Sequence, residues 1–194
     1  MSNDEQVPLA REVRIVDEYY SIYHVRFGDR VKMVWRISDS LDLTETMVPS
    51  FILQPIVENA FKHGISPKEE GGVVRIRINP LRDKGLLYIS VCDNGVGIQP
   101  EQLAQLKAAL AQPGERWEHI GVYNVAARLR LLDKRGRLII RSHPGHVRGR
   151  WTLLRPRPSM TFSTAMSHAR SHRRLSRLPR SQRWRKMQWN TVWR

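Results

Sequence analysis

The sequence predicts an α/β sandwich, a sheet with helices on one face, and three observations carry that prediction. Three short segments, "VKMVWRI", "VVRIRI" and "LLYISV", alternate apolar and polar residues as half-buried strands do. Segments of helical period lie before, between and after them, with no internal repeat. The third strand then runs into "VCDNGVGI", residues 91–98, where one carboxylate and two glycines replace the valines that would prolong a plain strand.

In order along the chain, "LAREVRIVDEYYSIYHVRF" sets Val13, Val16, Tyr20 and Tyr23 at steps of three and four. This marks an amphipathic helix ending near Gly28. "VKMVWRI" sets Val31, Met33, Trp35 and Ile37 against Lys32 and Arg36. "SFILQPIVENAFKHGI" has helical spacing and is expected to stop at Gly64. Val74, Ile76 and Ile78, then Leu87, Ile89 and Val91, supply the next two strands. Between Ile98 and Gly121, "QPEQLAQLKAALAQPGERWEH" holds one short amphipathic helix (Leu103, Leu106, Leu110). A connection this long reads equally as a lid over a ligand site or as a surface excursion. "IGVYNVAARLRLL" places Val122, Val125, Ala126, Leu129 and Leu132 on one helical face, and "RLIIR" with "RWTLL" forms a last pair able to close the sheet.

A chain of 194 residues holds one domain of ordinary size with an appendage. The net charge of +15 is unevenly placed: residues 1–133 carry 16 Lys+Arg and all 18 Asp+Glu, whereas residues 134–194 carry 17 Lys+Arg and no acid. Two readings of that tail stand side by side. Its arginines and its rings Trp151, Trp184, Trp189 and Trp193 suit nucleic acid; its lack of any sustained apolar pattern suits a segment never selected to fold. The single Cys92 excludes a disulfide framework, and no Cys/His cluster has metal-ligand spacing, which fits a reducing compartment. The start, "MSNDEQVPLAREV", lacks the basic and apolar regions of a signal peptide, and no run approaches ~18 apolar residues, so the expected location is the cytoplasm.

Asp93 at the mouth of a buried strand offers an acceptor for a ligand's amino group. Gly95 and Gly97 allow close backbone approach or positive φ. Alone, D-x-G-x-G is also an ordinary hairpin turn. Upstream, Asn59, Lys62 and His63 fall at i, i+3 and i+4 and share one helical face. An amide oxygen suits Mg²⁺ and an ammonium suits phosphate. Taken singly, Asn59 also reads as a cap, Lys62 as a partner of Glu58 on a solvated face, and His63 as a last-turn polar residue.

In this order "QPIVENAFKHG", "DNGVGI" and "HIGVYNV" resemble the N, G1 and G2 boxes of the GHKL ATPases, specifically the catalytic ATP-binding domain of LytS- and YesM-like sensor histidine kinases. The resemblance extends through "YYSIYHVRFGDRV" and "VPSFILQPIVENA" and covers about residues 9 to 145. It implies a Bergerat-type sandwich with a mixed, mainly antiparallel sheet, binding ATP and Mg²⁺ under a mobile lid. It further implies that Asn59 holds magnesium, that Lys62 and His63 neighbour the phosphates, and that Asp93 accepts from the adenine amino group. Gly95 and Gly97 would give the base room, and Gly121 and Asn124 at the start of the last helix would lie at the phosphates. Asn59, Lys62 and the nearest carboxylate, Glu58, are the implied catalytic set.

The implied activity is transfer of the ATP γ-phosphate to a histidine on another segment or chain. The implied partners are the helix bearing that histidine, a response regulator and a second copy of the chain. Departures from the pattern bear on this. His119 stands where relatives carry a glycine, and Pro55 stands four residues before Asn59 where others carry Glu or Asn. No H-F-x-x-N phosphoacceptor motif occurs, and His24 lacks that context. After about Gly145 "VRGRWTLLRPRP" replaces the family's final Gly-Thr strand, so a foreign C-terminus lacking the last native strand is expected. The implied organisation is a leading helix over residues 1–28 from a missing dimerisation region, an ATP-binding domain over 29–158, and a disordered basic tail over 159–194. Two alternatives stay open: a degenerate, non-catalytic nucleotide-binding fragment, and non-specific nucleic-acid binding through the tail at low salt.

Overall fold

A pleated strand sends successive side chains to opposite faces, and the alternating segments accordingly build one large sheet. The computed structural model describes residues 6–81, 86–111, 120–132, 136–143 and 146–156. Along the chain these are β1 (Gln6–Pro8), α1 (Leu9–Phe27), β2 (Val31–Ile37), β3 (Met47–Pro49) and α2 (Gln54–Asn59), which continues as a π-turn (Ala60–Ile65). There follow β4 (Gly72–Leu81), β5 (Leu86–Asp93), α3 (Pro100–Ala111), α4 (Ile120–Leu132), β6 (Arg137–His143) and β7 (His146–Pro156).

The five-stranded sheet has the order β2-β4-β5-β7-β6. Only the β2–β4 pair is parallel; the other neighbours run antiparallel. One register row crosses all five strands through Trp35, Ile76, Val91, Trp151 and Ile140. Of these, Trp35, Ile76, Val91 and Ile140 are buried, in one core with Leu9 and Val16 of α1, Ile56 and Val57 of α2 and Val122, Val125 and Leu129 of α4. At about 1.5–3 kcal/mol for each large aliphatic side chain buried, this contact between sheet and helices dominates the fold's stability. The opposite face presents Lys32, Arg75, Arg77 and Arg141. Asp93 is the one acidic residue in the five strands, and it lies on the inward side, in register with Val74.

The structure corrects one expectation. Gly64 does not stop the helix. The Ser66 N–H donates to the Phe61 carbonyl at 2.8 Å, an i→i−5 bond that widens the last turn and carries the helix past the glycine. The expected last pair does close the sheet: residues 146–156, beyond the change of composition, form β7 and pair with β6. That strand is also not an edge, because it pairs with β5 on one side and β6 on the other. The leading helix packs into the core, with Leu9, Glu12 and Val16 buried and the Trp35 indole N–H donating to Asp17 Oδ1 at 2.8 Å. A two-stranded sheet of β1 and β3, pairing Val7 with Val48, is additional. Three residues per strand are too few to show a period.

In the insertion, α3 buries Leu106, Ala109 and Leu110. The stretch 112–119, which contains His119, lies outside the described residues, as does the tail expected to be disordered. The chain divides after Pro158, and every described residue belongs to the first part. Among the described residues no helix is long and apolar enough to cross a membrane.

Candidate functional site

The end of β5 is where the strand's apolar run meets its one acid. Asp93 is 5% exposed, and its Oδ1 accepts the Gly95 N–H at 3.0 Å. Gly95 sits directly on the helical turn at Gly64. A Cβ on Gly95 would lie 2.2 Å from the Gly64 carbonyl carbon and oxygen, and one on Gly64 would lie 2.8 Å from Asp93 Oδ1. The Val96 N–H then donates to the Gly64 carbonyl at 2.9 Å. The strand end and the helix are therefore locked backbone to backbone, with the carboxylate in the seam. Beyond, Gly97 takes φ +79°, and the Ile98 N–H donates to the buried Ser142 Oγ at 2.9 Å, tying the turn to β6.

From Gly64 the helix runs back towards Pro55, which occupies the first turn of α2, where a missing N–H costs nothing. Asn59 donates its Nδ2–H to the Pro55 carbonyl at 2.6 Å. That bond commits the amide nitrogen and leaves Oδ1 as the acceptor. At the same end, a Cβ on Gly121 would stand 3.3 Å from Pro55 Cβ, so the first turn of α4 abuts the start of α2. Along one helix, then, Gly121 adjoins Pro55, Asn59 follows a turn later, and Asp93 adjoins Gly64. At the rise of an α-helix the span from Pro55 to Gly64 is at most roughly 14 Å.

Lys62 and His63 are exposed between these ends, as are Gly121 and Asn124 at the start of α4. Among the described residues Lys62 makes no ion pair, so no Glu58–Lys62 bridge forms. Glu58 is half-buried and lies close enough to Tyr19 of α1 to act on its hydroxyl. Burial first, then the neighbouring Tyr23 and the Glu58 carboxylate, hold the Tyr19 pKa well above the ordinary tyrosine value. Among the described residues no group of three or more His, Cys, Asp and Glu could hold a metal ion by itself. A cation here would need oxygens from a ligand as well as Asn59 Oδ1, which is how Mg²⁺ is commonly held beside phosphates.

Sequence reasoning missed the supports of this helix. The Glu12 carboxylate, 2% exposed, accepts the N–H groups of Phe51 (2.8 Å), Ile52 (3.0 Å) and Leu53 (3.0 Å), just ahead of α2. Arg128 of α4 donates to the Ser50 carbonyl at 2.6 Å and lies over the Phe51 ring, 5.9 Å from its centroid. The signal for Glu12 was present: it stands three residues after Leu9 and four before Val16, a carboxylate on the buried stripe.

A mixed sheet backed by helices, with an acid and a glycine pair at one end of a helix and an amide oxygen near the other, defines an α/β sandwich with a candidate ligand site along α2. Residues 48–158 match the family of histidine kinase-, DNA gyrase B- and HSP90-like ATPases, and the chain belongs to that family. It is 34% identical over 145 residues to the sensor histidine kinase YpdA of Escherichia coli strain K12, covering 75% of this chain and 24% of YpdA. It is 32% identical over 123 residues to the sensor protein LytS of Bacillus cereus, covering 63% of this chain and 20% of LytS. The chain thus spans about a quarter or less of the length of these relatives. Among solved structures it is similar to full-length ShkA in complex with AMPPNP (TM-score 0.58, 19% identity, 82% of this chain and 33% of that one). It is likewise similar to the mycobacterial sensor histidine kinase MprB (TM-score 0.55, 15% identity, 81% and 99%). At these identities the structural likeness establishes the fold, that of histidine kinase catalytic domains.

Proposed function

We propose that this domain binds ATP with Mg²⁺ and passes the γ-phosphate to a histidine supplied by another segment or chain, as the kinase part of a two-component sensor. The observation that carries the reading is the buried Asp93 carboxylate wedged at the Gly64–Gly95 contact, on the helix that also holds Asn59. Asp93 accepts from the adenine amino group, and Asn59 Oδ1 and the Lys62 ammonium face the phosphates together with His63 and the first turn of α4, at Gly121 and Asn124. Glu58, beside Tyr19, we assign to the α1 side of the helix. Phosphoryl transfer depends mostly on positioning and charge neutralisation, and bound Mg²⁺ would add positive charge at the phosphates. The names of YpdA and LytS support a sensor-kinase setting. Its partners would be a helix bearing the phosphoacceptor histidine, a response regulator and a second copy of the chain, in the cytoplasm.

Calorimetric titration with ATP in Mg²⁺ tests the binding step. Asp93→Asn puts a donor towards the adenine amino group and should cost about 1–3 kcal/mol; unchanged affinity would refute the adenine assignment. Radiolabel from γ-labelled ATP should appear on a supplied H-F-x-x-N helix as base-stable, acid-labile phosphohistidine. A nucleotide-bound domain that never labels such a helix would refute the kinase step.

A further inference from the structure

We propose that α1 positions the nucleotide site, with Glu12 as its principal positioning residue; this rests on the nucleotide-binding reading above. The helix that carries Asn59 is gripped by α1 at two places. Ahead of α2, Glu12 satisfies three successive backbone N–H groups, two of them on the fully buried Ile52 and Leu53. An unpartnered N–H buried at that depth is costly. The grip also holds Phe51 at φ +57°, a left-handed conformation that a bulky residue rarely keeps unaided. Beyond Asn59, Phe61 is fully buried among Tyr19, Tyr20 and Tyr23, with ring centroids at 6.3, 5.8 and 5.1 Å. The Tyr23 hydroxyl reaches Ser66 Oγ at 3.2 Å, just past the π-turn.

Asn59 lies between the two grips, and Lys62 directly follows Phe61. Both grips belong to one continuous helix, α1, so they set the pitch of the Asn59 helix against Asp93 together. Glu12 touches no ligand position; it acts through the turn it holds.

The test compares Glu12→Gln with Val16→Ala in the full chain. The first keeps the volume of Glu12 but presents an NH₂ to a backbone donor. The second removes buried methyls from the same helix without touching the grip. Glu12→Gln should weaken Mg²⁺–ATP binding by about tenfold or more, whereas Val16→Ala, at a comparable loss of melting temperature, should change it by less than about twofold. Equal weakening in the two variants, or ATP binding by Glu12→Gln as tight as wild type, would overturn the proposal. Should the wild-type chain bind no ATP, the nucleotide reading fails by itself, and hydrogen exchange then decides the role of α1. Faster exchange across residues 51–65 in Glu12→Gln, with the sheet amides unchanged, supports it; acceleration confined to 51–53, or spread evenly over the domain, overturns it.

Discussion

Placing a methyl group on each partner of the Gly64–Gly95 contact separates stability from recognition. Neither glycine has a left-handed φ, so space alone decides the outcome. On Gly95 a Cβ would meet the Gly64 carbonyl carbon and oxygen at 2.2 Å. Both are backbone atoms that cannot swing away, and the Val96–Gly64 hydrogen bond is lost with the approach. Overpacking of this kind costs about 1–3 kcal/mol, and with the hydrogen bond the sum is roughly 2–4 kcal/mol. For a domain of this size that lowers Tm by roughly 5–15 °C. On Gly64 the only close atoms belong to the Asp93 side chain, with Oδ1 at 2.8 Å where ordinary contact begins at 3.4 Å, so the carboxylate must retreat by about 0.6 Å. Alanine is better than glycine in a helix by about 1 kcal/mol, which offsets most of that cost. Gly64→Ala should therefore melt within about 3 °C of wild type. It should still bind ATP more weakly by roughly ten- to a hundredfold, the worth of one hydrogen bond to a charged group. Differential scanning calorimetry and ATP titration on the two variants give the answer. A Gly64→Ala chain that melts like wild type and binds ATP equally well would show that the Asp93 carboxylate does not touch the base.

The remaining predictions concern the metal, the tail and alkaline pH. Asn59→Ala should weaken ATP binding roughly tenfold in Mg²⁺ and much less in chelator; an identical loss in both would remove Asn59 from the metal. Deleting residues 159–194 takes away 9 of the 33 basic residues and should leave ATP affinity unchanged while low-salt binding to DNA falls. Ending the chain at Gly145 instead removes β7 from between β5 and β6 and should abolish cooperative melting; a normal melting curve would mean that the strand is dispensable. Because the Tyr19 pKa is raised above 10.0 in the folded state, the unfolded chain loses its proton first. Stability from this group is intact below pH 10 and declines as pH rises further. Tyr19→Phe should flatten that alkaline decline in urea titrations, and an unchanged slope would count against the buried hydroxyl.

The strands and the acid were legible because each rests on local chemistry. Period-two alternation in "VVRIRI" needs no partner to be read, and one carboxylate among the apolar residues of "LLYISVCD" stands out by itself. What was hidden depends on contacts across the chain. That Gly95 is small because Gly64 lies against it links residues 31 positions apart, and no local pattern records it. The π-turn leaves the apolar spacing of "NAFKHGI" almost helical, since only the hydrogen-bond partner shifts. Glu12 is obscured by the apolar face of Val13, Val16, Tyr20 and Tyr23, while the more deeply buried stripe runs through Leu9, Glu12 and Val16. The strand at "RWTLL" was legible from its apolar residues, but not its place between β5 and β6, with Gly149, Trp151 and Leu153 in register with Asp93, Val91 and Ile89.

That strand also sets when the protein can fold as it leaves the ribosome. The chain makes β5 early and β7 last, yet the two are neighbours, pairing Leu86 with Pro156 and Asp93 with Gly149. Until Pro156 has been synthesised, β6 has no partner at all and β5, the strand that carries Asp93, keeps one open edge, the kind of surface that captures stray strands. At about 5–20 residues per second, the stretch from Asp93 to Pro156 takes several seconds to appear. Over that interval the helices and the β2-β4-β5 part of the sheet can form, but the free side of β5 stays exposed until β7 arrives to cover it.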